Sequence, residues 1–336
     1  MNNKRILIFG GSGSLGQTLI RRLYKNNNVL VFSRDEAKHW TIKNNFSSTN
    51  LSFSVGDIRD KNRVEEILVR FDPNVVIMAS ALKQVDTCEL SPYESVQTNI
   101  LGINNIVDVV ENRLRDLPSL ESVLMVSTDK ACSPTNVYGM CKSVSERLVL
   151  VKSKNIDSVK FVAVRYGNVL DSRGSILPLF KHQVQTQGHL TVTHPDMTRF
   201  LMTLDDSVDL ILTTLKTANT GETWIPKLNA MKIIDLANIY AEMYGKTVEF
   251  TGIRPGEKMH ESLISDSESI RTVELENHYV IKPAYDQPTS ETVFEYSSAD
   301  SCLEKDELKV YLDDLSILDK NVEEFVGKTI QEHKRD

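Results

Sequence analysis

The sequence has few cysteines, no excess of positive charge and no long hydrophobic run. Four cysteines among 336 residues show no CxxC pair and no zinc-ligand spacing, so they predict reduced thiols and no metal site. A net charge of −7 gives no basic surface of the kind that nucleic-acid phosphates require. We therefore expect neither a metal nor a nucleic acid as a partner.

No segment predicts a secretion signal or a membrane span. The first apolar run lasts only from Ile6 to Phe9 before glycines follow, which is shorter than the apolar core of a signal peptide. No window approaches the roughly 20 apolar residues that a membrane helix needs. We therefore expect a cytoplasmic protein without membrane contact. Its 40% hydrophobic and 25% charged residues are ordinary for a globular chain.

Short apolar runs alternate with helix-length amphipathic segments over the first two-thirds of the chain. The runs lack a period-two pattern, as strands buried on both faces of a parallel sheet do. The alternation predicts an α/β fold with a doubly wound parallel Rossmann sheet. The predicted strands are Arg5–Phe9, Asn28–Phe32, Leu51–Val55, Val75–Ala79, Ser122–Ser127 and Lys160–Arg165, and the predicted helices are Leu15–Lys25, Lys61–Phe71, Val96–Glu111 and Val137–Ser153.

The pattern loosens after Asn168, which predicts a second lobe. We expect a dinucleotide-binding domain in residues 1–168 and 191–225, and a smaller mixed α/β lobe for the substrate in residues 169–190 and 226–290. Residues 291–336 are an acidic, polar tail in which the spacing of Leu308, Tyr311 and Leu315 favours a short helix.

The first strand runs directly into a glycine-rich turn, GGSGSLG, followed at once by a helical pattern. One glycine makes the tight turn, one lets a phosphate approach the backbone, and one lets the helix pack closely on the strand. The free N–H groups at the start of that helix then meet a pyrophosphate. The predicted dinucleotide contacts are Gly10, Ser12, Gly13, Ser14, Leu15 and Gly16.

The ends of the next strands predict which dinucleotide binds. The second strand ends in Ser33 and Arg34, where an NAD-specific fold usually has an acidic residue, so a 2′-phosphate and hence NADP are favoured. The alternative is that Arg34 is only a solvated surface charge. Asp57 is expected to bind the adenine amino group, although a simple turn aspartate is the competing interpretation. The other predicted cofactor contacts are Ile58, Ala79, Ala81 and Lys83.

Tyr138 and Lys142 form a YxxxK pair that shares one face of a predicted helix. A free tyrosine has a pKa near 10 and is a poor base at pH 7, but a nearby lysine cation favours the phenolate. Lowering that pKa by about three units corresponds to about 4 kcal/mol. YxxxK alone is a common coincidence. Behind a glycine-motif domain it predicts a base for a sugar hydroxyl during hydride transfer, with both Tyr138 and Lys142 also contacting the cofactor.

Asp129 and Lys130 lie at the carboxyl end of the fifth predicted strand, where α/β sheets hold their ligands. A sugar epimerase needs no further acid and base, whereas a dehydratase must also remove a proton beside a ketone and expel a hydroxyl as water. Two titratable side chains suit that demand. A surface ion pair is the alternative interpretation.

Several motifs together resemble the inverting UDP-N-acetylglucosamine 4,6-dehydratases of the extended short-chain dehydrogenase/reductase superfamily. Related dehydratases for dTDP-glucose or GDP-mannose have Asp-Glu where this chain has Asp129-Lys130, and membrane-anchored retaining relatives commonly have methionine in place of Tyr138. Departures at Asp86 and at Met140-Cys141 leave the fine substrate preference open. The similar stretches lie between residues 4 and 285 and read GGSGSLG, ASALKQVDTCELSPYESVQTNILG, STDKACSPTNVYGMCK, RYGNVLDSRGSILP, MTRF and GIRPGEKMHE.

The resemblance implies a reaction sequence. Tyr138, aided by Lys142, takes the O4 proton while NADP+ accepts hydride from C4, and Lys130 then removes the C5 proton. Asp129 protonates the departing C6 hydroxyl, the hydride returns to C6, and C5 is reprotonated from the opposite face. Thr128 positions the sugar or the tyrosine. The implied product, UDP-2-acetamido-2,6-dideoxy-β-L-arabino-hex-4-ulose, is an intermediate of surface-glycan biosynthesis.

The resemblance also implies a UDP site in the second lobe and a homo-oligomer, either a dimer built through two helices per subunit or a hexamer. Two alternatives stay open at this point: a nucleotide-sugar 4-epimerase or reductase of the same fold, and a non-catalytic NADP-binding regulator. For Lys83 a structural role is as well supported as a ligand contact. The candidate substrate contacts are Lys83, Asn168, Arg173, Arg199, Arg254 and Glu257.

Overall fold

The computed structural model describes residues 1–46, 48–170 and 175–318, which form two compact units. The first unit comprises residues 1–166, 204–227 and 262–296, and the second comprises residues 167–203, 228–261 and 297 onward. Compared with the predicted domain ranges, residues 191–203 lie in the second unit and residues 262–296 in the first. The functions assigned to the two ranges stay predictions.

The described residues contain fifteen strands. These are β1 Arg5–Phe9, β2 Asn28–Ser33, β3 Leu51–Val55, β4 Val75–Met78, β5 Ser122–Val126, β6 Lys160–Val164, β7 His189–Val192, β8 Thr198–Phe200, β9 Thr223–Pro226, β10 Ala230–Lys232, β11 Thr247–Phe250, β12 Ser262–Ile264, β13 Thr272–Glu274, β14 His278–Ile281 and β15 Tyr296–Ser297.

Twelve α-helices accompany these strands in the same residues. They are α1 Ser14–Leu23, α2 Glu36–Asn45, α3 Lys61–Phe71, α4 Val85–Leu90, α5 Pro92–Ser95, α6 Gly102–Asn112, α7 Val137–Leu150, α8 Ile176–Thr186, α9 Leu204–Thr217, α10 Ile233–Tyr244, α11 Asp266–Ser269 and α12 Lys305–Asp314.

A nine-stranded sheet organises the described part of the first unit, in the order β3-β2-β1-β4-β5-β6-β9-β14-β13. The first seven strands run parallel, and β14 and β13 add antiparallel at one edge. The β3 to β6 portion has the strand order of dinucleotide-binding folds. Ile6, Leu7, Ile8 and Phe9 of β1 have no exposed surface, as a strand covered on both faces requires. The predicted doubly wound α/β fold is therefore confirmed.

The six strands predicted from apolar runs end within one residue of the observed strands, but one predicted helix is more complex. The segment predicted as Val96–Glu111 consists of a π-helical turn at Val96–Leu101 and α6, and the short helix α5 directly precedes it. Helix α2 was not predicted, because it buries only His39 and Ile42 and shows no apolar stripe. The Asp35 side chain fixes its start by accepting a hydrogen bond from the Lys38 amide at 3.0 Å.

The second unit packs its helices around a small apolar core. Helices α8, α10 and α12 contribute buried side chains that include Phe180, Tyr240, Leu308 and Leu312. Strand β7 pairs in parallel with β11, and β8 pairs antiparallel with β10. Helix α12 forms where the spacing of Leu308 and Tyr311 predicted one. None of the helices in the described ranges has both the length and the apolar character needed to cross a membrane.

Candidate active site

A short loop after β5 carries the two titratable residues that the sequence singled out. The amide of Asp129 donates to the carbonyl of Tyr166, which follows β6, at 2.9 Å, so the loop is tied to the neighbouring strand. Asp129 Oδ1 accepts from the Thr128 hydroxyl at 2.8 Å and from the Lys130 amide at 2.9 Å, and it lies 3.2 Å from Lys130 Nζ. Asp129 and Lys130 therefore form one ion pair at the carboxyl edge of the sheet.

Burial distinguishes this pair from an ordinary surface contact. The Asp129 side chain is 1% exposed and the Lys130 side chain is 19% exposed. The second carboxylate oxygen, Asp129 Oδ2, is buried and has no hydrogen-bond partner among the described residues. A buried carboxylate oxygen without a donor is costly, and such atoms are frequent at catalytic sites. The pair is therefore suited to exchanging a proton with a ligand.

Helix α7 places Tyr138 beside that loop. Asn136 caps the helix by accepting from the Gly139 amide at 2.8 Å. A Cβ atom on Gly139 would lie 2.1 Å from the Lys130 carbonyl oxygen, so only glycine allows the helix to approach the loop this closely. The Thr128 side chain hydrogen bonds to the Tyr138 phenol. The structure thus brings together Thr128, Asp129, Lys130 and Tyr138.

The pKa of Tyr138 departs from the expectation drawn from the sequence. We expected the Lys142 cation to lower it, but burial raises the pKa of Tyr138 to about 12. The cation that opposes burial is Lys130, while the Asp129 carboxylate adds to the increase. The reason for the difference is that a phenol with 8% exposure loses more hydration than one nearby ammonium restores.

Lys142 is buried under the same helix face and is held to the sheet. Its Nζ donates to the carbonyl of Val126, the last residue of β5, at 2.6 Å. Burial lowers the pKa of Lys142 to about 8, although the Glu146 carboxylate acts in the opposite direction. The lysine therefore titrates close to physiological pH, and small changes around it alter its charge.

The glycine-rich turn joins β1 to α1 at the same edge of the sheet. Helix α1 begins at Ser14, with Gly13 as its N-cap residue. A Cβ on Gly16 would lie 2.4 Å from Gly11 Cα, so this helix position accepts only glycine. Ser12 is buried, and its carbonyl accepts from the side chain of Gln17. The turn has the close helix-to-strand packing that a dinucleotide-binding loop requires.

The ends of β2 and β3 carry two arginines around one aspartate. Arg34 Nη1 lies 3.7 Å from Asp57 Oδ2, and Arg59 Nη2 lies 2.7 Å from the same oxygen. Burial raises the pKa of Asp57, but the hydrogen bonds from Arg59 and the charge of Arg34 outweigh burial and leave it lowered. Arg59 was not predicted from the sequence. Its signal was its position two residues after Asp57, at the end of a parallel strand.

The remaining predicted cofactor contacts lie at or just after the ends of strands β2, β3 and β4, and some of them are buried whereas others are exposed to solvent. Ser33 is partly buried and hydrogen bonds to His39 Nε2 at 2.6 Å. Ile58 is buried, and the Ala79 amide continues the β4 pairing by donating to Phe9. Ala81 and Lys83 are exposed in the segment between β4 and α4.

The second unit contains the predicted UDP-binding side chains that the structure describes. Arg199 on β8 is buried and donates to the carbonyls of Thr198, Lys258 and Met259. Its Nη2 lies 3.6 Å from Glu257 Oε1. Arg199 and Glu257 are therefore brought together, and the arginine also holds the chain at residues 257–261. Its contact with a phosphate stays a prediction.

The other candidate substrate contacts are less constrained. Arg254 is exposed, and its amide donates to Glu257 Oε2 at 3.3 Å. Asn168 is partly buried, and its Oδ1 has no hydrogen-bond partner among the described residues. Arg173 lies outside the described residues.

A buried charge cluster adjoins the candidate catalytic residues and was missed in the sequence. Arg165, directly after β6, forms ion pairs with Glu146 of α7 at 2.6 Å and with Glu268 of α11 at 2.9 Å. All three side chains are at most 13% exposed. Glu146 stands four residues after Lys142, and this helical spacing was the only signal in the sequence.

These features define an α/β dinucleotide-binding protein of the short-chain dehydrogenase/reductase type. The parallel sheet carries the glycine-rich turn at the start of α1, and the tyrosine and the buried lysine lie on α7. The chain belongs to the polysaccharide biosynthesis protein family, whose model matches residues 6–283.

Three similar proteins refine this picture. The UDP-N-acetylglucosamine 4,6-dehydratase (inverting) of Campylobacter jejuni serotype O:23/36 is 40% identical over 291 residues, which are 84% of each chain. A UDP-glucose 4-epimerase of Rickettsia bellii is 38% identical over 289 residues, 83% of each chain. The X-ray structure of Pen from Bacillus thuringiensis superposes with a TM-score of 0.86 at 32% identity, and covers 94% of this chain and 98% of that one. The resemblance to the inverting dehydratases is therefore confirmed, and epimerases are almost equally similar.

Proposed function

We propose that this chain is a lyase, an NADP-dependent UDP-N-acetylglucosamine 4,6-dehydratase that inverts C5. Its product would be UDP-2-acetamido-2,6-dideoxy-β-L-arabino-hex-4-ulose, made in the cytoplasm for surface glycans. The observation that carries the proposal is the buried Asp129–Lys130 pair beside Tyr138. An epimerase has no use for this pair, whereas elimination of water needs an acid and a base next to the sugar.

The residues present fit a dinucleotide with a 2′-phosphate. The glycine-only packing at Gly16 brings α1 close to the turn after β1, which is the arrangement that pyrophosphate-binding turns have. Arg59 is paired with both Asp57 and Glu94, whereas Arg34 is 59% exposed and lies 3.7 Å from Asp57, so Arg34 is the guanidinium at these strand ends that can reach a phosphate. Guanidinium groups bind phosphate oxygens through charge-assisted hydrogen bonds. When bound, the nicotinamide would supply the hydride acceptor for C4 and the donor for C6.

The side chains of the loop and of α7 have separate proton-transfer roles in this proposal. Tyr138 Oη accepts the proton of the sugar O4, and the Lys142 cation favours its phenolate. Transfer of one proton from Lys130 to Asp129 first converts the ion pair into an amine and a carboxylic acid. Lys130 Nζ takes the C5 proton and the Asp129 carboxylic acid gives its proton to the leaving C6 hydroxyl, which departs as water. A proton passing from Nζ to Oδ1 across 3.2 Å restores the amine and the carboxylic acid. C5 then takes a proton from solvent on the opposite face and Tyr138 releases the O4 proton to solvent, so the protons balance.

The test is incubation of the protein with UDP-N-acetylglucosamine and NADP+ in heavy water, without added reductant. We expect a product that has lost one water and gained one deuterium at C5, detected by mass spectrometry and by the alkali-induced absorbance of a 4-ketone. Lys130→Ala should abolish the C5 deuterium uptake, and Tyr138→Phe should lower kcat by about 10²–10⁴-fold. Dehydration at the wild-type rate in both variants would contradict the assigned roles.

The second candidate is a UDP-sugar 4-epimerase of the same fold, which the similarity to the Rickettsia bellii relative supports. It predicts a product of unchanged mass with inverted C4, and incubation with UDP-glucose extends the comparison to that substrate. A non-catalytic NADP-binding regulator predicts no turnover of either sugar. The loss of water seen by mass spectrometry separates the dehydratase from the other two functions, and detection of the C4 epimer by NMR separates the epimerase from the regulator.

A further inference from the structure

One face of α7 carries three buried ionisable side chains spaced four residues apart. Tyr138, Lys142 and Glu146 are 8%, 2% and 4% exposed. The lysine donates to the carbonyl of Val126, and the glutamate accepts from the hydroxyl of Ser127. Two consecutive helical turns are therefore fastened to the end of β5, immediately before the loop that carries Asp129 and Lys130.

Glu146 is itself fixed from the opposite side by Arg165. The guanidinium donates five hydrogen bonds: from Nε to Glu146, from Nη1 to the Leu263 carbonyl and to Glu268, and from Nη2 to both carboxylates. Five bonds satisfy every N–H that an arginine has. Glu268 is oriented in turn by a capping box with Ser265 at the start of α11. Glu146 consequently has little freedom to move away from the helix face.

The four buried charges balance. Lys142 and Arg165 are positive, and Glu146 and Glu268 are negative. Removing one partner of a buried charge set leaves an uncompensated charge, which is costly and is usually relieved by a change of protonation. Loss of either carboxylate leaves a net positive cluster. The loss of Glu146 bears directly on Lys142, because the two stand one helical turn apart.

The two carboxylates, Glu146 and Glu268, differ in which charged groups around this helix face they act on. The charged and titratable groups around it are Asp129 and Lys130 after β5, Arg165 and Tyr166 after β6, Glu268 on α11, Arg271 just before β13 and the thiol of Cys88 on α4. Among the described residues, Glu146 is the charged group that acts on the pKa of Lys142, and it raises the pKa against the effect of burial. Glu268 acts on Arg165 instead.

We propose that Glu146 is a positioning residue of the proposed dehydratase, which keeps Lys142 cationic from one turn further along the same buried face of α7. The proposal rests on the proposed function for its consequence in turnover. The charge of Lys142 is a property of the protein alone, however, and is measurable without any substrate.

The experiment compares wild type with Glu146→Gln and with the matched control Glu268→Gln. Each substitution removes one carboxylate from the same arginine and keeps the side-chain size. The titration of Lys142 is followed by NMR of protein labelled with ¹³C at lysine Cε, with its resonance assigned by Lys142→Arg. In Glu146→Gln we expect the midpoint to fall by about one pH unit, because the charge that favours the ammonium is gone. In Glu268→Gln the midpoint should stay within a few tenths of a unit of wild type.

Turnover provides the second measurement. Activity should be lost as the pH rises through the pKa of Lys142, because the neutral amine no longer favours the Tyr138 phenolate. The basic limb of the kcat profile should therefore move to lower pH in Glu146→Gln and keep its position in Glu268→Gln. If Glu146→Gln does not fold, Glu146→Asp retains the charge at a greater distance and should give a smaller shift of the same sign.

An unchanged Lys142 midpoint in the Glu146 variants, or an equal shift in the Glu268 control, would overturn the proposal. If wild type turns over no UDP-N-acetylglucosamine while the NMR midpoints move as expected, the proposed function fails but the electrostatic role of Glu146 stands. The two failures are therefore distinguishable.

Discussion

Arg34 is a residue whose effect on cofactor choice can be measured separately from catalysis. Its side chain is 59% exposed at the end of β2, so its removal leaves no buried group without a partner. A guanidinium that contacts a 2′-phosphate contributes roughly 1.5–3 kcal/mol, or about 10- to 100-fold in affinity. We expect Arg34→Ala to weaken NADP+ binding by this factor and to change NAD+ binding little.

Calorimetric titration with both cofactors checks this prediction, and Arg70→Ala is a matched control. Arg70 is an equally exposed arginine on α3, 3.6 Å from Glu66, and should leave both affinities unchanged. Equal weakening of NADP+ and NAD+ in Arg34→Ala would show that Arg34 does not contact the 2′-phosphate.

At the level of residues, the sequence predicted which side chains lie together at the site better than it predicted their pKa values. Tyr138 and Lys142 lie where the YxxxK spacing predicted, on one buried face of α7. The direction of the Tyr138 pKa was wrong, because spacing reveals the nearby lysine but not the loss of water around the phenol. Arg165 was missed for a related reason. Its partners come from 19 residues before it and 103 residues after it, and no local pattern joins them.

Helix α7 packs closely against the loop after β5, and a substitution at Gly139 tests whether this packing is needed for activity. A methyl group on Gly139 would meet the Lys130 carbonyl oxygen at 2.1 Å, so the loop or the helix must shift. Overpacking of this kind costs roughly 1–3 kcal/mol, and a displacement near 1 Å at a reacting centre lowers the rate by about 10²-fold. We expect Gly139→Ala to lower kcat by about this factor and to reduce the free energy of unfolding.

The control for this substitution is Gly188→Ala, because no atom lies within 4 Å of a Cβ built there. Chemical denaturation and steady-state kinetics of both variants make the comparison. Normal kcat in Gly139→Ala would mean that the Asp129–Lys130 loop tolerates displacement from α7.

Strands and helices could be predicted where the burial of one face or of both faces leaves a recognisable pattern of apolar residues in the sequence. Six of the seven parallel strands, β1 to β6, were predicted from short runs rich in apolar residues, whereas β9 was missed. The antiparallel strands β13 and β14 were not predicted, since segments of three and four residues carry too little pattern to separate them from loops. The π-helical turn at Val96–Leu101 was also missed, because it interrupts an apolar spacing that reads as one helix.

For the whole molecule, the order of strands along the chain predicts the parallel sheet. It does not predict to which of the two units the segments after residue 226 belong. Right-handed crossovers limit how successive parallel strands can be arranged, which makes the β3 to β6 order predictable. Residues 262–296 return to the first unit because β14 pairs antiparallel with β9. That pairing joins strands about fifty residues apart, so the sequence alone assigned residues 262–290 to the second lobe and residues 291–296 to the tail.

We expect the interface of the predicted homo-oligomer to lie on the surface of the first unit. Helix α7 contacts α4, α5 and the π-helical turn, and these elements expose large apolar side chains. Clustered exposed apolar residues on a water-soluble surface usually mark an interface, and two copies of one surface form a two-fold interface. We name this set the α7 patch: Leu90, Tyr93, Leu101, Met140, Val144 and Val151.

A charge placed in the α7 patch tests the dimer. Val144 is 44% exposed, so Val144→Asp is compatible with the folded chain but introduces two close carboxylates across a two-fold axis. We expect light scattering after size-exclusion chromatography to give a mass of two or more subunits for wild type and about 38 kDa for the variant. Val310→Asp on α12, 60% exposed, is the matched control and should retain the wild-type mass. A wild-type mass of one subunit would refute the oligomer. A wild-type oligomer that persists in Val144→Asp would place its interface away from the α7 patch.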